Sequence, residues 1–217
     1  MINIRKLAEP DSLTTYRAAG GKFDGPGFTP DVKNGLRTSL LKEQGYLCAY
    51  CMQRIHDQAS VSKIEHWHSQ DSYPHEDLEY KNLLGCCKGG EGQAPINQHC
   101  DTAKGKKNIE INPSNPADRV EEQITYMGDG IIRSGNKKIE SAITILNLNR
   151  PLFVKNRKAE WMAVQQVLGS KSGSRTKSEV EKLIVKYDEP GADGKLHPYC
   201  GVGRYFLRKR LNSGQRP

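Results

Sequence analysis

The sequence predicts an α+β protein: a small, metal-stapled core rich in turns and short strands, followed by a helical C-terminal region. Three observations predict it. Five of the six cysteines fall between residues 48 and 100. The stretch 68–110 is turn-rich, weakly periodic and too long for an ordinary loop, so something other than a large apolar core must order it. From residue 135 onward the apolar residues recur at helical spacing. With 217 residues and only 35% apolar ones, the chain suits one domain, or one small site with a helical appendage.

Residues 1–28 are polar and Gly-rich and read as an extended arm. A helix then starts at Thr29, a good N-cap, with Pro30 at the first helical position and Asp31 at the positive helix end. Val32, Leu36 and Leu40 repeat every four residues, and Gly45 is the stop. Val61 to Trp67 has the β-branched start of a strand. Ile124 and Tyr126, the Gly128-Asp129-Gly130 turn and Ile131-Ile132 predict a hairpin. Ile139, Ala142, Ile143 and Leu146 share one helix face. A second helix over 152–168 presents Trp161, Val164 and Leu168. Ser170 to Ser178 reads as a linker, Val180 to Tyr187 as a third helix, and the last helix starts near Pro198. These elements divide the chain into an arm (1–28), a cysteine-rich core (29–115) and a hairpin with helices (116–217).

No stretch approaches the ~18 uninterrupted apolar residues of a membrane span. No apolar h-region follows the charges of Arg5 and Lys6, so the expectation is a cytoplasmic protein with reduced cysteines. The net charge of +8 is unevenly placed. Residues 1–150 carry 19 basic and 19 acidic side chains; residues 151–217 carry 14 and 6. A basic C-terminal third suits either a polyanion-facing surface or a solvated face. Arg204, Arg208, Lys209 and Arg210 are its densest cluster, with Arg204 and Arg208 on one helix face.

Cys48 and Cys51 form a Cys-x-x-Cys pair, and two thiolates at that spacing can reach one tetrahedral zinc from a tight knuckle. Cys100 and either Cys86 or Cys87 complete a four-sulfur set. Bound zinc would order the turn-rich segment, because ligation there is folding energy. Cys200 stands apart and reads as a core thiol of the last helix.

Nested among these cysteines lie Ile64-Glu65-His66-Trp67-His68, then Tyr80-Lys81-Asn82-Leu83-Leu84-Gly85, then His99-Cys100-Asp101 with Lys104-Gly105. In this order the residues resemble the HNH endonucleases of the ββα-metal class, and more closely the PtuB-type HNH nucleases of the Septu anti-phage system, also found as retron effectors. The resemblance covers about residues 30–115. It implies a zinc-stapled ββα-metal core and a metal-dependent endonuclease that hydrolyses nucleic-acid phosphodiester bonds. The family spacing from Asn82 selects Cys87, giving Cys48, Cys51, Cys87 and Cys100 as zinc ligands.

The chemistry needs these residue types. Imidazole can activate water near neutral pH, which makes His66 the general base. A hard divalent cation, magnesium or manganese, takes oxygen ligands, here Glu65 and Asp101, with His99 as the alternative to Asp101. Asn82 fixes the loop, Lys104 faces a phosphate, and Arg204 and Arg208 contact the nucleic acid or a partner. Adjacent strand residues point to opposite faces, so Glu65 and His66 converge only where the strand ends or bulges. The chain departs from the family pattern at Glu65, where Asp is usual, at Asp101, where His or Asn is common, and in the Gly-rich insertion Lys88 to His99. The resemblance further implies a gating partner, the ABC-type ATPase PtuA. Two rival readings use the same cysteines: a non-catalytic zinc-binding interaction module, and a redox protein acting through Cys48 and Cys51.

Overall fold

A computed structural model describes residues 1–170 and 173–213. Two helices come first, α1 (Asp11–Ala18) and α2 (Pro30–Glu43). Helix α2 begins as its sequence dictates: the Thr29 hydroxyl accepts from the Val32 amide at 3.4 Å, with Pro30 next in line. Gly45 (φ +58°) turns the chain away, and a Cβ there would come within 2.5 Å of Leu196.

The expected extended arm gives way to structure. Met1, Ile2 and Ile4 are buried, and the Ile4 amide donates to the Pro113 carbonyl at 2.7 Å. Helix α1 seats Leu13 against Leu36 and Leu40 of α2. The partners that make this arm ordered lie far along the chain, so no local pattern announces them.

Strand β1 (Ser62–His66) pairs antiparallel with β2 (Leu83–Cys87), in register from Ser62 opposite Cys87 to His66 opposite Leu83. Strand β2 lies within the segment expected to be turns. All five of its residues are buried, so it has no apolar–polar alternation to betray it. The short helix α3 (Cys100–Lys104) packs on β2, completing a strand–strand–helix order.

One turn of helix, α4 (Val120–Gln123), leads into the hairpin of β3 (Ile124–Tyr126) and β4 (Ile132–Ser134). Four helices follow: α5 (Lys137–Ile145), α6 (Pro151–Gly169), α7 (Lys177–Asp188) and α8 (Cys200–Ser213). Asn136 caps α5, and Thr176 with Glu179 forms a capping box on α7. Of the expected linker Ser170 to Ser178, Lys171 and Ser172 lie outside the described residues. Helix α8 packs on both α6 and α7. The faces expected inside are inside: Ile139, Ala142, Ile143, Leu146, Val164 and Val180 are buried. Each such large aliphatic contributes about 1.5–3 kcal/mol of transfer free energy.

The larger apolar cluster joins Met1, Ile2, Tyr50, Ile109, Tyr126, Phe153 and Val202 across residue 115. The cysteine-rich segment and the C-terminal helices therefore share one core. No helix among the described residues is long and apolar enough to cross a membrane.

Candidate functional site

The sulfurs of Cys48, Cys51, Cys87 and Cys100 lie within 4.8 Å of one another, all buried. Cys48 and Cys100 sulfurs are 3.8 Å apart, and those of Cys51 and Cys87 are 3.9 Å apart. A tetrahedral zinc with bonds of about 2.3 Å spaces its sulfurs by about 3.8 Å, so this quartet could hold a zinc ion without rearrangement. Three elements build it. The turn after α2 supplies Cys48 and Cys51, the end of β2 supplies Cys87, and the start of α3 supplies Cys100. Successive strand residues face opposite ways, so Cys87 turns to the quartet and Cys86 does not join it. His99 belongs here too: its Nδ1 lies 3.3 Å from the Cys100 sulfur and 3.8 Å from that of Cys87. That leaves Asp101, not His99, beside Glu65. The insertion Lys88 to His99 folds back on itself, with the His99 amide donating to the Gly89 carbonyl at 2.9 Å.

A cleft of about 440 Å³ opens beside the quartet and is lined by Glu65, His66 and Asp101. Strand β1 ends at His66, which is what lets the adjacent Glu65 and His66 both reach it. Glu65 is 3% exposed. Its Oε1 accepts from the Lys104 ammonium at 2.7 Å and from the Tyr50 hydroxyl at 3.1 Å. Burial, then the neighbouring Asp101 carboxylate, holds the Glu65 carboxyl well above the usual carboxylate range. Burial pushes Asp101 upward too, but the hydrogen bond from Glu65 and the Lys63 ammonium at 3.2 Å outweigh it, and Asp101 ends below its ordinary value. The two neighbouring carboxyls are thus pushed apart, Glu65 upward and Asp101 downward. Two neighbouring carboxylates of this kind could offer oxygen ligands to a hard divalent cation.

His66 Nε2 lies 2.9 Å from the Asp77 carbonyl oxygen. A carbonyl only accepts, so Nε2 carries the hydrogen and Nδ1 is the basic nitrogen. Burial lowers the imidazole below its usual value, which keeps it neutral and able to take a proton. Phe23 packs edge-on against the ring, centroids 4.5 Å apart.

Asn82 ties the loop after β1 to the turn before β2. Its Oδ1 accepts from the His68 amide at 2.7 Å, and its Nδ2 donates to the His68 and Glu76 carbonyls, both at 3.1 Å. Trp67, His68 and Tyr73 stack in series beside a second cleft of about 970 Å³.

The expected phosphate contact of Lys104 gives way to an interior ion pair. Its side chain is 1% exposed and also donates to the His66 carbonyl at 2.6 Å. Arg204 and Arg208 do share a face, but their charges are met within the chain. Arg204 reaches Glu121 at 3.1 Å and Asp188 at 2.8 Å, and Arg208 reaches the same two acids. Sequence reasoning missed Tyr50, Lys63, Arg37 and Ser69, the last three of which line the cleft. For Arg37 a signal existed: it sits at i−4 and i−7 from the buried Leu41 and Gln44, a charge on a helix face otherwise turned inward.

No family model matches the chain. Among curated proteins it is similar to the Septu protein PtuB of Bacillus thuringiensis, at 25% identity over 72% of each chain.

Proposed function

We propose that this protein is a metal-dependent HNH-type endonuclease that hydrolyses phosphodiester bonds of nucleic acid in the 440 Å³ cleft, and that it serves anti-phage defence. The observation that carries the reading is the convergence of two carboxylates and a neutral imidazole on one basic cleft. The similarity to a Septu protein supports the defence role, and with it a gating ATPase partner of the PtuA kind. The quartet would hold zinc as a staple, tying Cys87 at the end of one strand to Cys100, the residue before Asp101.

In this mechanism His66 Nδ1 takes a proton from the attacking water. The Asp77 carbonyl fixes its tautomer and orientation. Glu65 and Asp101 would hold the divalent cation, magnesium or manganese, which would supply charge stabilisation at the scissile phosphate and the leaving oxygen. Lys104 holds Glu65 and the end of β1 in place. Asn82 keeps the loop after His66 closed against the turn before β2.

The test is cleavage of plasmid DNA and of total tRNA by purified protein with magnesium or manganese, with EDTA and His66→Ala alongside. Cleavage abolished by both controls is expected, and the substrate that is cut identifies the nucleic acid. Cleavage by His66→Ala at the wild-type rate would sink the assignment. Should the zinc-loaded wild type cut only once the partner ATPase is added, the gating part of the proposal is met.

A further inference from the structure

Six basic and four acidic side chains line the cleft. Each of the four acids has its own lysine: Asp24 with Lys33, Glu65 with Lys104, Asp71 with Lys106 and Asp101 with Lys63. Lys88, the remaining lysine, pairs with Glu91. That leaves Arg37, which reaches the cleft from α2 and is 4% exposed. Among the described residues no carboxylate pairs with it.

One hydrogen bond among the described residues holds its guanidinium. Nη1 donates to the Asn34 side chain at 2.7 Å, one turn back on the same helix. The Nε–H is buried and has no partner among the described residues. Burying a guanidinium without a counter-charge is costly, and the free Nε edge is the one that meets a phosphate with two parallel hydrogen bonds. A second buried donor lines the same cleft without a partner, the Ser69 hydroxyl, which is 7% exposed and comes from the loop after β1.

We propose that Arg37 and Ser69 form a phosphate-binding subsite of the cleft, which grips the backbone of the nucleic-acid strand beside the reacting phosphate. The strand assignment rests on the nuclease reading; the phosphate site does not.

Inorganic phosphate is the first probe. In nitrogen-15 spectra of the full chain, the Arg37 Nε–H signal, identified by its absence in Arg37→Lys, is expected to move saturably as phosphate is added. Arg37→Gln is expected to weaken phosphate binding by roughly tenfold or more, the usual effect of losing a charge-assisted pair, and Ser69→Ala by less. Arg37→Gln should also melt no lower than wild type, because it removes an uncompensated buried charge; a purely structural arginine would lower the melting temperature. On nucleic acid, Arg37→Gln should raise KM while kcat changes little. A signal that phosphate does not move overturns the subsite, whether or not the protein cuts. Phosphate binding without any cleavage, with the partner ATPase present as well as absent, keeps the subsite and overturns the nuclease. Phosphate binding with an unchanged KM in Arg37→Gln overturns the strand contact.

Discussion

The ammonium of Lys104 meets Glu65 Oε1 at 2.7 Å in an interior where both side chains are at most 3% exposed. The same ammonium donates to the carbonyl of His66 at 2.6 Å. One residue of α3 thereby sets both the carboxylate and the end of the strand that carries the candidate base.

Lys104→Met should therefore destabilise the protein by about 3 kcal/mol, because a buried polar partner is left without its ammonium. Much of that loss should disappear when Glu65→Gln is added, as a urea-unfolding double-mutant cycle would show. Additive losses would mean the two groups do not sense each other.

The quartet predicts about one zinc per chain. Cys51→Ser and Cys87→Ser should lose the metal and melt at lower temperature, whereas Cys86→Ser should keep it. Metal analysis of the purified variants decides this; a Cys86→Ser protein without zinc would relocate the site.

Arg204 and Arg208 predict unequal costs. Arg204, with a side chain only 10% exposed, leaves Glu121 and Asp188 short of a partner when removed, and Arg204→Ala should cost about 3 kcal/mol. Arg208 is 48% exposed, and Arg208→Ala should cost under ~1 kcal/mol. Equal losses in chemical denaturation would contradict the burial difference.

Cys200 gives the protein an alkaline weakness. Burial raises its thiol from 9.0 to about 11. The folded state then keeps a proton that the unfolded state loses, so the stability contribution is level below pH 9 and falls as pH rises from 9 to 11. The slope is about 1.4 kcal/mol per pH unit. The stability difference between wild type and Cys200→Ala should therefore shrink by about 2 kcal/mol between pH 8 and pH 10.5. A constant difference would show a thiol that titrates normally.

What was legible in the sequence follows from how local each signal is. Thr29-Pro30-Asp31 carries its own helix start, and Ile124 to Ile132 its own hairpin, because capping and turn chemistry act within a few residues. The cysteine quartet was legible from spacing, with Cys87 favoured over Cys86 only by the family spacing from Asn82; the structure brings Cys87 to the quartet. Strand β2 was not legible, since a strand buried on both faces has no period to read. The N-terminal segment was missed for a related reason: Leu13 finds its partners, Leu36 and Tyr80, only after the chain has folded back. Lys104 was expected to face a phosphate from the family pattern, and nothing local shows that the tertiary position of Glu65 draws it inward. Arg37 needed the observation that every acid of its cleft is already taken.

Ile2 sits against the backbone of Gly201, where a Cβ would come within 3.0 Å of it, and the Tyr126 hydroxyl donates to the carbonyl of Met1 at 3.4 Å. The opening and closing parts of the chain are thus two walls of one core. A ribosome delivers residues 23–106, which hold every side chain lining the cleft, well before it delivers α8, the helix that Ile2 packs against. During synthesis the cleft segments wait on an incomplete interior. The shared core is complete only once α8 has cleared the exit tunnel.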